Sequence, residues 1–186
     1  MPKLRTKISG FKAKINLSGR DFINFIKTKI DCLPTASRCA RGRPAKDMYC
    51  RAGYPRKETL NHVSQACPRT HVKRIRRHDA IINYIKRALE NRGHEVHSKP
   101  LYKTSLGNRK PDLIAKKDGE LLVIDAQIVG EAVDLERADS RKIFYYRDNH
   151  KLDLAIQNQH GIPNISYLGA TLNLRGVWSE KSKFFN

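Results

Sequence analysis

Acidic side chains are scarce in this 186-residue sequence: 18 Asp and Glu stand against 37 Lys and Arg, giving a formal net charge of +19 and a pI near 10.1. Solubility alone does not call for such an excess, so the natural partner is a polyanion. Apolar runs of membrane length are also missing, since none approaches the roughly 18–20 residues of a spanning helix. The opening segment MPKLRTKISGFKAKI lacks the apolar centre of a secretory signal. The expectation is therefore a soluble, intracellular chain with no membrane partner. There is no internal repeat and no low-complexity tract, which excludes a repeat architecture. Cysteines number only four, Cys32, Cys39, Cys50 and Cys67. Interleaved with His62 and His71, they suit metal ligation in a reducing compartment better than a disulfide framework.

What is present suffices for one ordinary domain and a small appendage, with 39% hydrophobic residues to build the core. The charge is unevenly placed: residues 1–111 carry 27 basic and 7 acidic side chains (+20), residues 112–186 carry 10 and 11 (−1). Grip and chemistry are thus expected in different segments. Lys and Arg that neutralise phosphates release counterions, so binding should weaken about a thousandfold or more for several contacts across the physiological salt range.

Ser18 ahead of Phe22, Phe25, Ile26 and Ile30 predicts an N-capped amphipathic helix ending before Pro34. From Cys32 to His71 no period is sustained, as in a loop-rich module stapled by ligands. Ile81, Ile82, Ile85, Ala88 and Leu89 predict a helix from Arg77 to Arg92 with Gly93 just past its end. Ahead of it, Lys73-Arg74-Ile75-Arg76-Arg77 is a phosphate grip, a nuclear-import patch or simply a solvated face. Short apolar runs then predict strands over 95–102, 111–116 and 120–129, with Asp118-Gly119 as a type I′ turn. A helical stretch from about Ala132 to Gln159, broken near Asn149, and a strand over 164–174 complete the order.

With Asp118-Gly119 as the turn, Lys117 faces Glu120, and stepping back along both strands sets Asp112 opposite Asp125. Such partners share one face, with Cβ atoms about 4.5–5.5 Å apart. Ile114 and Val123 lie on that face, while Leu113, Ala115, Leu122 and Ile124 make the other apolar as well, so the hairpin is central and buried. Two like charges buried side by side are destabilising unless a proton or a cation intervenes. Oxygen ligands at a partly hydrated site favour Mg²⁺ or Mn²⁺, and in a basic chain that points to phosphodiester hydrolysis. The plainer alternative is one Asp capping a strand end and the other pairing with a Lys or Arg. Lys142 shares a broad helix face with Leu135, Ala138, Tyr145 and Tyr146. It is either an inward partner of Asp125 or a snorkelling surface lysine.

The assembled motifs resemble the restriction-like endonuclease domain of site-specific non-LTR retrotransposons that insert into ribosomal RNA genes. The resemblance rests on Arg41-Gly42-Arg43, Cys50-Arg51-Ala52-Gly53, Asn61-His62, Cys67 with Arg69-Thr70-His71, and Arg77-His78-Asp79 opening a helix. It continues through Lys110-Pro111-Asp112, Val123-Ile124-Asp125-Ala126-Gln127, Lys142 with Tyr146, and Arg175-Gly176-Val177-Trp178-Ser179. It implies a PD-(D/E)xK-like fold: a helix, a three-stranded antiparallel hairpin sheet, a helix and a strand, preceded by a zinc-knuckle-like module. Asp112 and Asp125 would be the catalytic acids and Mg²⁺ ligands, and Lys142 the catalytic lysine. Gln127 fills the slot that holds the lysine in the wider superfamily and would orient water or phosphate; Tyr146 would help position the site.

The resemblance further implies zinc on Cys50, His62 and Cys67. Tyr54 stands where the family has another cysteine, which leaves His71, Cys39 or Cys32 to complete the four ligands that tetrahedral zinc needs, or zinc lost altogether. Arg41, Arg43, Lys73, Arg74, Arg76, Arg77, His78 and Lys110 are the expected DNA contacts. Trp178 is a core residue or a stacking platform. The organisation expected is a basic segment and helix over 1–31, the knuckle-like module over 32–72 and the nuclease core over 73–186. Double-stranded DNA is the expected substrate, RNA a second candidate, the nucleus the compartment. A reverse transcriptase domain of the same element would be the partner if this is an excised domain. The rivals are a catalytically inert zinc-dependent binding module and a structure-selective nuclease such as a junction resolvase.

Overall fold

The computed structural model describes residues 18–40 and 48–185. The expected DNA contacts Arg41 and Arg43 lie outside the described residues. Backbone packing divides the chain into two units, up to Val63 and from Ser64 to Phe185. No described helix is long and apolar enough to cross a membrane.

In the first unit, α1 (Gly19–Lys29) starts where Ser18 accepts a hydrogen bond from the Asp21 N–H, as an N-cap should. A short helix, α2 (Ala36–Cys39), is capped by Thr35. Glu58, buried among these loops, accepts from the backbone N–H of Ala36 and of Arg51 (both 3.0 Å) and from the Arg51 guanidinium. One carboxylate thereby closes a segment too poor in apolar residues to close itself.

The second unit opens with α3 (His71–Glu90), which carries Ile82, Ile85 and Leu89 on its buried face. It begins six residues earlier than the sequence predicts. The reason is that Pro68–Thr70 forms a 3₁₀ turn feeding straight into it, so the Lys73–Arg77 run is helical and Arg77-His78-Asp79 lies two turns in rather than at its start. Gly93 is not directly past the helix end: Asn91 is the C-cap, and Gly93 takes a left-handed φ of 83° two residues later.

The single strand expected over 95–102 is two. Lys99 adopts φ 50°, an uncommon conformation for a residue with a β-carbon. It separates β1 (Glu95–Ser98) from β2 (Tyr102–Thr104), which pairs with β3 (Gly107–Arg109) in a small hairpin of its own. Then come β4 (Leu113–Lys117), β5 (Glu120–Val129), α4 (Leu135–Arg147), α5 (His150–His160) and β6 (Asn164–Asn173). Asp118 and Gly119 both have positive φ, 50° and 79°, as a type I′ turn demands. Asn149 accepts from the Leu152 N–H as the cap of α5, which is where the long helical stretch breaks.

The main sheet runs β1-β4-β5-β6, antiparallel except for β5 and β6, which are parallel and joined through α4 and α5. Leu113 pairs with Ile124 and Ile114 with Val123. Alternation then fills both faces. Leu113, Ala115, Ile124 and Ala126 meet Ile82, Ile85 and Leu89 of α3, with Trp178 and Phe185. Ile114, Leu121 and Val123 meet Tyr146, Leu152 and Ile156 of α4 and α5. Trp178 is a core residue, only 8% exposed.

Candidate active site

Asp112 immediately precedes β4, one register step beyond Leu113↔Ile124 and thus opposite Asp125. Its Oδ2 accepts the Ala126 N–H (2.9 Å), so the backbone of the facing strand fixes its position. From α4, Lys142 places its ammonium in ion-pair contact with Asp125 Oδ2. One turn on, the Tyr146 hydroxyl donates to Asp125 Oδ1 (3.1 Å) and lies 3.3 Å from the Lys110 carbonyl. From the opposite face, α3 brings His78, with Nε2 3.2 Å from Asp112 Oδ2 and 3.3 Å from the Ala126 carbonyl. Two carboxylates, a lysine, a tyrosine and a histidine therefore converge where the β4–β5 hairpin meets both helical layers.

The electrostatics split the two acids. Burial dominates at Asp125 and raises its pKa; Lys142 opposes this and the charge of Asp112 adds to it. Burial also pushes Asp112 upward, but His78 and the Ala126 N–H together outweigh it and hold that carboxyl below its ordinary range. The hydrogen bond to Asp112 raises His78 in turn, against burial. Burial, then the Asp125 charge, raises Tyr146, which stays a donor. The result is one firmly ionised carboxylate beside one that is costly to ionise.

Other expected residues fall elsewhere. Gln127 shares the face of Asp125, but its amide nitrogen donates to the Ala138 carbonyl (2.8 Å) and to Thr171 Oγ1 (2.9 Å), tying β5 to α4 and β6. Arg77 is drawn inward to the Ser64 carbonyl (3.0 Å), and burial lowers its pKa. Lys73 and Arg76 stand exposed on α3, whereas Arg74, His78 and Lys110 line one cleft with Asp112.

Of the residues expected on zinc, Cys50 and His62 are buried in the first unit and Cys67 is buried near the start of the second. Both ring nitrogens of His62 are buried without a hydrogen-bond partner, a costly state that a metal ion would relieve. His71 starts α3, is exposed and faces Arg74 (Nδ1 to Nη2, 3.3 Å) in the cleft. The four cysteines, Cys32 and Cys39 included, form no disulfide.

His78, expected as a DNA contact, stands beside the carboxylates as well, and Asp139 was not singled out at all. His78 was legible: extending the buried stripe Ile82, Ile85, Leu89 back by four residues puts it on the sheet-facing side of α3. Asp139 had no such signal. It is fully buried against Gly169, the register partner of Asp125, and accepts from Thr171 Oγ1 (2.8 Å) and Ser182 Oγ (3.3 Å).

The chain is similar to Pol polyproteins of R2 retrotransposable elements. That of the type-2 element R2DM from Drosophila melanogaster is 40% identical over 167 residues, 89% of this chain and 16% of the relative. Type-1 R2 counterparts from Bradysia coprophila and Nasonia vitripennis are 33% and 38% identical over 90% and 87% of this chain, and it spans 19% and 16% of them. The chain thus covers less than a fifth of the length of these three relatives, and the similarity supports a retrotransposon origin. No family model matches. A solved protein of unknown function, AF1548, shares 18% identity over 55% of this chain and 52% of its own, with a TM-score of 0.32, a likeness too slight to inform the fold.

Proposed function

We propose that this chain is a metal-dependent DNA endonuclease with a restriction-endonuclease-like core, the target-nicking part of a retrotransposon polyprotein acting in the nucleus beside a reverse transcriptase domain. The observation that carries the proposal is the pairing of Asp112 and Asp125 across a tight hairpin, with Lys142 and Tyr146 on the second acid. The donor set suits Mg²⁺ or Mn²⁺: hard oxygen ligands, one of them buried enough that ionisation is costly without a cation. Asp112 and Asp125 would hold the ion, which when bound polarises the phosphate and acidifies a water.

The protein's own groups do the rest. Ala126 fixes Asp112 through its N–H. Lys142 supplies positive charge where negative charge grows on the phosphate. Tyr146 holds Asp125 in one orientation. His78 and Lys110 stand where the substrate backbone would approach. Cys50, His62 and Cys67 would hold zinc, with a fourth ligand from outside those three; the unpartnered His62 ring is the support for it.

The test is nicking of supercoiled plasmid with Mg²⁺, Mn²⁺ or EDTA. Wild type should nick only with a divalent ion, and Asp112→Ala and Lys142→Ala should each slow nicking about a hundredfold or more. Binding without metal-dependent nicking would instead identify an inert binding module. Faster cutting of branched than of linear DNA would indicate a junction-selective nuclease.

A further inference from the structure

His71, Arg74, Ile75 and His78 recur at spacings of three and four along α3, so they project from one face of the helix. That stripe lines an open cleft of roughly 490 Å³ together with Asp79, Lys99, Lys110 and Asp112. Lys99 and Lys110 are tied to the candidate catalytic strand. Lys99 donates its backbone N–H to the Asp112 carbonyl (2.7 Å) from its left-handed conformation, and Lys110 is two residues before Asp112. Asp79 holds the Lys99 ammonium (2.9 Å). On the helix, Arg74 lines the cleft with Nη1 donating to the Cys67 carbonyl (2.6 Å).

The dimensions fit a polymer better than a small anion. Seven residues of helix separate His71 from His78, about 10 Å of wall. One strand of duplex DNA presents a phosphate about every 3.4 Å of axis, and farther apart along its own path, so the wall reaches more than one phosphate. Half-exposed Ile75 adds an apolar surface of the kind a deoxyribose covers.

We propose that this cleft is a binding site for consecutive backbone phosphates of one DNA strand leading to the carboxylate pair, with Arg74, Lys99 and Lys110 each neutralising a phosphate. It rests on the nuclease reading for its direction, and takes His71 as a wall residue rather than a zinc ligand. The strand runs along the His71–Arg74–His78 face of α3, not along the exposed faces that carry Lys73 and Arg76.

Binding of the full chain to a labelled duplex in EDTA, across a salt series, separates the possibilities without requiring catalysis. Arg74→Gln, Lys99→Asn and Lys110→Gln should each flatten the dependence of log affinity on log salt by about 0.9, and the triple variant by two to three. Asn is chosen at position 99 because it tolerates positive φ. Circular dichroism confirms that each variant is folded. A folded triple variant with the wild-type slope overturns the proposal, as does a larger loss of slope in Lys73→Gln with Arg76→Gln, or loss on single-stranded RNA alone. Wild-type nicking in Mg²⁺, run in parallel, reports the nuclease reading by itself. Slope changes as expected without nicking would sink that reading and leave the cleft a DNA-backbone site.

Discussion

Asp125 sits among groups that pull its carboxyl in opposite directions, burial and Asp112 toward the neutral form, Lys142 toward the charged one. Tyr146 then matters for where the carboxylate points. Tyr146→Phe removes one hydrogen bond to Asp125, about 1 kcal/mol, and should slow nicking about fivefold while DNA affinity holds; an unchanged rate would show that Tyr146 only packs. Away from the site, the Arg51 hydrogen bond is the largest influence on Glu58 and lowers it to about 2, against burial. A depressed carboxylate contributes stability above its unfolded value, near 4.5, and loses it as pH falls toward 2. Thermal melting across that interval should decline more steeply for wild type than for Glu58→Gln, and parallel curves would contradict the assignment. At this scale the sequence was a good guide wherever geometry was local. The Asp-Gly turn set the Asp112–Asp125 register, whereas helical spacing left Lys142 open between an inward partner of Asp125 and a surface lysine, and only its ion pair with Asp125 decides for the first. Asp139 acts across elements far apart in the chain, where no spacing rule reaches.

The element that sets the site is α4, pressed on β6 at Gly169. A β-carbon there would lie 2.0 Å from Asp139 Oδ1, a fully buried side chain held by Thr171 and Ser182. Gly169→Ala should therefore destabilise the protein by about 2 kcal/mol or more, and Asp139→Ala should return part of that loss in the double variant. Additive losses in denaturant melts would argue that the contact is slack. Element positions were largely legible: β5 falls over the 120–129 span that its apolar run marks out, and α4 and α5 part at Asn149. The failures have physical causes. Lys99 breaks a strand by taking a conformation that its side chain does not announce. The β2–β3 hairpin is too short and polar to leave a period, being held by Tyr102, whose hydroxyl meets His160 (3.0 Å), and by Arg109, stacked 4.7 Å from the Tyr145 ring.

For the molecule as a whole, charge and chemistry occupy different stretches of sequence: +20 before residue 112 and −1 after it. On the proposed reading, the basic stretch would gather the polyanion for the carboxylate pair. Zinc should be stoichiometric in purified protein and lost in His62→Ala or Cys67→Ser; equal metal content in all three would remove it from that group. The central claim, that Asp112 and Asp125 are held together to grip a divalent ion, is most directly tested by titrating Mn²⁺ into the zinc-loaded protein and following it by calorimetry or electron paramagnetic resonance. Wild type should show saturable binding that Asp112→Asn and Asp125→Asn each abolish. Identical isotherms for the three proteins would contradict the account.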